Sequence, residues 1–596
     1  MSRQVLFNGA VLVRPGAYTK IDASQFQSIV LNGIGVVGII GNADGGQPRV
    51  VQIFNSAAAV KAAYRSGDIV EAAGILCNPG NDDLIPAGAQ TIVTYKVNNG
   101  TQATLAAAPF TFTSKDWGLS QNSINVQLTS QGGNLRTFIS QGLDQLSNLI
   151  VETSPQFGDP TKYGKFTLKY NGTGTAATVT ITSTTLTTTV TAGPGSENLA
   201  ITFANFASLN DILFFINGFA GGVYVATALI TNALSFNPAN LDAVSALDIK
   251  TTALTLMANN FDVSDWINNN SQLITCVLTQ GQTGPRAALT LTALAGGTLG
   301  TSANADWVTG FTALGGVRIN QVVPLASADA TTAQGTYTIA SVNAGLQSHC
   351  SLLSATAGKS ERQGWASFSG TKTNLILAAQ GLNSQDVCIS SQKLTRQSAV
   401  TGNITQFPEW SLSCVLAGMR AGAPLGEPLT HKLILATAIA SDASWSPSTT
   451  QDVIDLLLNG IILVTSVQGR GFQIEKGITT YTKSNNDAFI EETIVQCWKY
   501  IAFTWRTNLE NRYTGRPMDI GQIKTVIPFS VSVLNGLRQQ GVITDSLVNG
   551  VQTPGFSNLQ VTASGDVLNV SGNVQPTSGI NFILNTAVLV PAQFSV

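Results

Sequence analysis

Residues 470–517 read RGFQIEKGITTYTKSNNDAFIEETIVQCWKYIAFTWRTNLENRYTGRP. Nowhere else in the chain do a start, a face and a stop agree so well. The spacing predicts a strand over 474–481, a polar turn over 483–487 and then one long helix. Ile490, Ile494, Trp498, Ile501, Trp505 and Leu509 follow one another by steps of three or four and so share one face of a 3.6-residue period. Glu491 and Glu492 open the helix, where its dipole favours negative charge. Arg512 and Arg516 lie at the other end, with Gly515 and Pro517 as stop signals. The stripe makes Trp498 and Trp505 core residues of this module, together with Ile478, Thr480 and Tyr481 of the preceding strand.

The totals frame that unit. A chain of 596 residues is too long for one compact domain, and two to four are expected. Charged residues make up only 11%, against about 25% in ordinary domains. Gly, Thr, Ser, Asn and Gln take their place, which suits β-rich structure and extensive self-contact. A net charge of −2 argues against a nucleic-acid partner, since no basic stripe exists to displace counterions. Cys77, Cys276, Cys350, Cys388, Cys414 and Cys497 form no CxxC pair and read as free thiols in a reducing compartment. The first residues lack the pattern of a signal peptide, and the longest apolar run, 453–464, is too short to span a bilayer. The expected location is the cytoplasm in which the chain is made, with exit by lysis.

Working outward, residues 1–25 read as an extended arm whose backbone groups need another sheet edge. Residues 28–40 form a buried strand, 56–64 and 68–76 short helices and 91–97 a strand, the start of an α/β layer. Gly33, Gly35 and Gly38 match a dinucleotide fingerprint by spacing. No helix opens at the third glycine and no acid stands at the right distance, so close packing within a strand is the reading. Residues 160–235 are Thr-rich and broken by Gly and Asn turns, which fits a hairpin-rich insertion. Helical stretches are expected near 254–261 and 263–268. From about 300 helices and strands alternate, with 350–354 read as a strand, and this points to a largely parallel sheet. Helices follow at 410–420, 451–459 and 526–540, and strands at 559–563, 567–574 and 580–589.

Chemistry is hard to place. His349 and His431 are the only histidines, and neither has a partner at metal-ligand spacing. No GxSxG elbow occurs, and no Walker-type GK[ST] follows a glycine loop. The acid pairs Asp82-Asp83 and Glu491-Glu492 read as solvated or dipole-complementing charge. No catalytic, cofactor or metal residue is nominated, and no cofactor is expected.

The stretch 470–517 closely resembles the C-terminal module of contractile tail sheath proteins of Mu-type myophages. The likeness rests on Ile478-Thr479-Thr480-Tyr481, on Asp487 opening the helix, and on Asn511-Arg512-Tyr513 closing it. Further similarities follow in the family's order: Arg14-Pro15-Gly16-Ala17-Tyr18, the stretch 33–45, the segments 306–324 and 361–365 with His349-Cys350, VLAGMRAGAP at 415–424, and the helix-then-strand link 451–465. Residues 160–300 match nothing in that pattern. A related phage-tail-like injection sheath carries the same unit and stays open as an alternative. An α/β nucleotide-using enzyme and a β-rich surface-binding protein are the readings from other classes.

The resemblance implies an α+β, multidomain fold: an α/β inner core assembled from both chain ends (26–110 with 395–575), an α/β middle domain (111–159 with 300–394), a β-rich outer insertion (160–299), and extended arms at 1–25 and 576–596. It implies a virion subunit, assembled in the host cytoplasm, that stacks as hexameric rings around a tail tube and contracts to drive the tube through the host envelope. Its expected partners are further copies of itself, the tail tube protein, and baseplate and tail terminator or neck proteins, with no nucleic acid and no membrane insertion. The arms would add strands to a neighbour's sheet through Val11, Val13, Tyr18, Ile580, Phe582 and Leu584. Lys524, Arg538, Gln539 and Gln540 are the candidate tube-facing residues. Arg506 and Glu510 are expected to face neighbouring subunits.

Overall fold

The computed structural model of the protein describes residues 5–7, 10–12, 35–80, 82–144, 147–327 and 335–581. At its centre is a six-stranded sheet in the order Val387–Ser390, Gln363–Ser367, Gln321–Pro324, Val36–Gly41, Thr91–Lys96, Val51–Phe54. The first five strands run parallel and the last antiparallel. A parallel sheet needs both faces covered, and the alternation along each strand supplies both. Val37, Ile39, Val323 and Trp365 point to one core, with the helices Asp68–Cys77 and Trp410–Gly422. Ile40, Val322 and Ala366 point to the other, with Asn304–Gly315, Ile339–Ser354 and Lys372–Leu382.

The glycine run behaves as a packing device. Gly38 lies inside the strand Val36–Gly41, where a Cβ would come within 2.9 Å of Ile319. Helix Trp410–Gly422 is buried nearly all round, as a helix enclosed by the core must be. At Gly422 a Cβ would stand 1.9 Å from the Ala87 carbonyl oxygen, so only glycine permits that approach.

After Lys96 the chain leaves the sheet and builds two β-rich layers before returning at Asn304. The nearer layer packs the sheets of Phe110–Trp117 and Asn125–Ser130 around Phe112, Phe138 and Ile267, with helix Asn259–Asn270 among them. The farther layer sets Phe166–Tyr170 and Ala176–Ile181 against helix Leu209–Gly218. Residues 111–159 therefore pack with 259–294, while strands from 321–390 hydrogen-bond to strands from 36–96. Beyond the long helix come helix Ile520–Gln539 and the hairpin of Phe556–Ser564 with Val567–Val574, around Leu534, Leu537 and Ile543.

Several local expectations change. The run at 350–354 ends helix Ile339–Ser354; so short an apolar run has no period of its own, and Leu346, His349 and Cys350 bury one helical face. Residues 254–261 divide into the strand Leu254–Leu256 and the start of helix Asn259–Asn270. The strand expected over 474–481 is confined to Gly471–Ile474. The single long helix is two, Asp487–Ile490 and Glu492–Tyr513, with Glu491 extended at φ −75° and ψ 115° between them. Near the N-terminus, Val5–Phe7 pairs antiparallel with Ala10–Leu12, so Val11 sits opposite Leu6 in a local hairpin. Val13, Tyr18, Phe582 and Leu584 lie outside the described residues.

Candidate functional site

The break at Glu491 is what the ITTY segment serves. Thr479 N donates to the Ile490 carbonyl (2.8 Å) and its hydroxyl to the Phe489 carbonyl (2.6 Å). Glu492 N reaches back to the Gly477 carbonyl (3.2 Å). On its other side Thr480 N donates to the Val387 carbonyl at the sheet edge (2.9 Å), and Thr480 Oγ1 exchanges hydrogen bonds with Ser384. The segment thus ties the start of the long helix to the edge strand of the central sheet. Ile478 and Thr480 are buried. Tyr481 is half-buried with its ring 5.2 Å from Phe489.

The helix then enters the protein with polar residues inward as well as apolar ones. Glu492 is 0% and Arg420 1% exposed, and Glu492 Oε2 accepts from Arg420 Nη2 at 2.5 Å. Burial pushes the Glu492 carboxyl up from its ordinary range, against the pull of Arg420. Arg420 also donates to the Glu427 carbonyl (2.9 Å) and to Thr493 Oγ1 (3.2 Å). Two turns on, Lys499 lies 2.7 Å from Asp386 and donates to the Arg362 carbonyl and to Gln363 Oε1, both at 2.9 Å. Glu491 is buried beside Lys476 (2.9 Å) and accepts from Asn581 Nδ2 (2.9 Å).

Of the reading of Glu491-Glu492 as solvated or dipole-complementing charge, this corrects the solvated part, while Glu492 does stand in the first turn of its helix. Both are buried and ion-paired, because the helix start is enclosed by the ITTY segment on one side and helix Trp410–Gly422 on the other. A signal was present: Arg420 stands alone among apolar residues in a helix, and a charge in such a place needs a partner. Along the apolar stripe Ile494 and Ile501 are buried and Trp498, Trp505 and Leu509 half-buried. Trp505 Nε1 donates to Ser530 Oγ (3.1 Å), which joins the long helix to the next one.

The other nominated residues scatter. Lys524 and Gln539 are exposed near opposite ends of helix Ile520–Gln539. Arg538 is held within the chain by Asp545 (Nη2–Oδ2 2.9 Å), and Gln540 caps the helix end. Arg506 pairs with Glu361 and Glu510 with Lys359. Ile580 is 82% exposed. An open groove of about 780 Å³ runs between the two helices and the final hairpin, lined by Trp505, Leu509, Tyr513, Val526, Leu568 and Val570 among others. All six cysteines are free. Among the described residues, no group of three or more His, Cys, Asp or Glu side chains could hold a metal ion, and no helix is long and apolar enough to cross a membrane.

The long helix thus begins in an enclosed joint and ends beside an open groove against the last described hairpin. Comparison with known proteins shows what such a chain is similar to. The chain is 22% identical over 599 residues to the tail sheath protein of Bacillus phage SP01, covering 98% of this chain and 97% of the relative. It is 23% identical over 598 residues to a putative tail sheath protein of Enterococcus phage phiEF24C, covering 96% of each. No family model matches. The fold is that of the sheath tail protein of Desulfitobacterium hafniense, with a TM-score of 0.54 at 14% identity over 94% of this chain and 97% of that one. The Listeria innocua sheath tail protein gives 0.50 at 12% identity over 91% and 92%. Over nearly its whole length the chain is thus similar to phage tail sheath proteins, and its fold is that of the sheath tail proteins.

Proposed function

We propose that this chain is the repeating subunit of a contractile sheath, polymerising as stacked hexameric rings around a tail tube and shortening to drive that tube through the host envelope. The observation that carries the reading is the likeness to phage tail sheath proteins over 96–98% of this chain. In this reading the central sheet and the helices on its two faces, drawn from both sides of the insertion, form the inner body of the subunit, and the two β-rich layers between Lys96 and Asn304 face outward. The arms 1–25 and 576–596 add strands to neighbouring copies; the exposure of Ile580 supports this at the C-terminal end. Lys524 and Gln539, exposed on one helix, are the better candidates for the tube face, since Arg538 already has Asp545 as its partner. Baseplate and tail terminator proteins would bound the polymer at its two ends. Contraction is then a cooperative passage from a metastable lattice to one of lower free energy.

Electron microscopy of the purified chain tests this. The expected result is hollow tubes at micromolar concentration, lost on removal of residues 1–20. A chain that stays monomeric at high concentration, or is indifferent to that deletion, overturns it.

A further inference from the structure

Where the farther β layer meets helix Asn259–Asn270, one buried ion pair is left with most of its hydrogen bonds unmade. Lys165 Nζ stands 2.6 Å from Asp262 Oδ1, and the two side chains are 7% and 13% exposed. Among the described residues that is the ammonium's only hydrogen bond. It otherwise faces the Phe236 ring, 5.7 Å from its centre, and Phe236 packs edge-on against Phe261, the residue before Asp262. Asp262 Oδ2 is buried with no hydrogen-bond partner.

The pair of Lys499 and Asp386 shows the difference. The Lys499 ammonium also donates to the Arg362 carbonyl and to Gln363 Oε1. Such added bonds are what repay the desolvation of two charges, and Lys165 has none. The acid registers the cost: burial pushes the Asp262 carboxyl from 3.8 up to about 6 in spite of Lys165, and Asp242 and Asp265 add to the rise. Its uncharged form is therefore within reach near neutral pH.

The backbone holds both residues in place. Lys165 N donates to the Leu256 carbonyl (2.8 Å), and the Lys165 carbonyl accepts from Leu229 N (2.9 Å). Asp262 N donates to the Ala258 carbonyl (2.9 Å) in the first turn of its helix. An amine and a carboxyl are thus kept in contact and out of water, the arrangement in which an intramolecular reaction gains most.

The geometry points to Lys165 and Asp262 as the two ends of an intramolecular amide that the folded chain forms by itself. A proton passes from Nζ to the carboxylate, giving an amine and an acid. The Nζ lone pair attacks Cγ and the N–C bond forms. The bond from Cγ to the protonated oxygen then breaks, and that hydroxyl leaves as water with a second Nζ proton. Ammonium and carboxylate go in, one secondary amide and one water come out, and no oxidant or co-reactant is needed. The product has no charge to keep buried. It ties the head of strand Phe166–Tyr170 to helix Asn259–Asn270 and closes a span of 97 residues around the farther layer. The inference stands apart from the sheath reading, since it needs no second copy.

Mass spectrometry of the purified full chain under denaturing conditions is the test. The expected mass is that of the sequence less one water. Trypsin is expected to leave Lys165 uncut and to yield peptides 163–169 and 251–286 as one joined species. Lys165→Arg keeps the charge without the nucleophile and is expected to show its full mass, as is Asp262→Ala. Wild-type chain collected unfolded is expected to start at full mass and to lose the water on refolding. A folded wild type at full mass overturns the proposal, and the pair is then a salt bridge only. A deficit without a joined peptide, or one that survives in Lys165→Arg, is ring closure elsewhere and overturns it as well. A join from Lys165 to the peptide that carries Asp242 overturns the assignment to Asp262, and a deficit already present before folding overturns the role given to the folded geometry.

Discussion

The joint at the start of the long helix and the farther β layer are both closed to solvent, but by opposite means. In the β layer the interior is a continuous set of Phe166, Leu168, Leu186, Ile212, Ile216 and their neighbours, with Tyr224 OH and Thr188 (2.7 Å) as a buried polar contact. At the joint Glu492, Arg420, Lys499 and Asp386 are buried among Ile494, Val495 and Ile501. Apolar packing is non-directional and accepts rearrangements that conserve volume. A buried ion pair adds little net stability, but it makes any shifted arrangement costly, since a displacement of an ångström or two strands charges. The β layer is built to be filled; the joint is built to sit in one register.

The largest expected effect breaks the joint. Glu492→Leu leaves Arg420 buried without its carboxylate and is expected to destabilise the subunit by about 4 kcal/mol. Arg420→Met combined with Glu492→Leu removes both charges and is expected to return to within about 1 kcal/mol of the wild type, as read by chemical denaturation. If the double variant is as unstable as the single one, the pair contributes stability as well as register, and the contrast with the β layer weakens.

A somewhat smaller effect is expected in the β layer. Ile212 is fully buried in helix Leu209–Gly218, and Ile212→Ala is expected to cost about 3 kcal/mol as transfer and cavity terms. Hydrogen exchange locates the loss: amides of Phe166–Tyr170 and Ala176–Ile181 should gain exchange while those of Val36–Gly41 keep their protection. A loss spread evenly over both would mean that the layer does not open by itself.

The same contrast governs what could be read from the sequence. Elements with a period or a long apolar run were legible: the apolar stripe of the long helix, the buried run that contains Val36–Gly41, the alternation of Thr91–Lys96, and the Thr-rich strands such as Thr185–Thr191. The glycines at 35 and 38 were legible as packing residues because the fingerprint lacked its helix and its acid. The partners of Arg420 and Lys499 were not, since Glu492 is 72 residues from Arg420 in sequence and no local pattern links them. The helix break at Glu491 was hidden too. Its cause is a bridge from Ile478 to Glu491, a tertiary contact, while the apolar spacing continues across it undisturbed.

The smallest expected effect uses acid to probe the edge of the joint. His349 is buried on helix Ile339–Ser354 with its ring 5.5 Å from Phe311, and Nε2 faces Arg362 Nη1 at 3.0 Å. Arg362 can only donate, so Nε2 accepts and the ring is neutral. Burial first, and Arg362 second, push its pKa from 6.5 down to about 3. The folded protein therefore binds this proton less readily than the unfolded chain. The contribution to stability is complete above pH 6.5 and declines as pH falls toward 3. Between pH 7 and pH 5 this group alone is expected to remove about 2 kcal/mol. Carboxylates elsewhere titrate in the same direction, so the readout is the difference between the wild type and His349→Gln, whose side-chain oxygen can still accept from Arg362. That difference should shift toward the variant on acidification. A difference independent of pH would mean that the ring is protonated without cost.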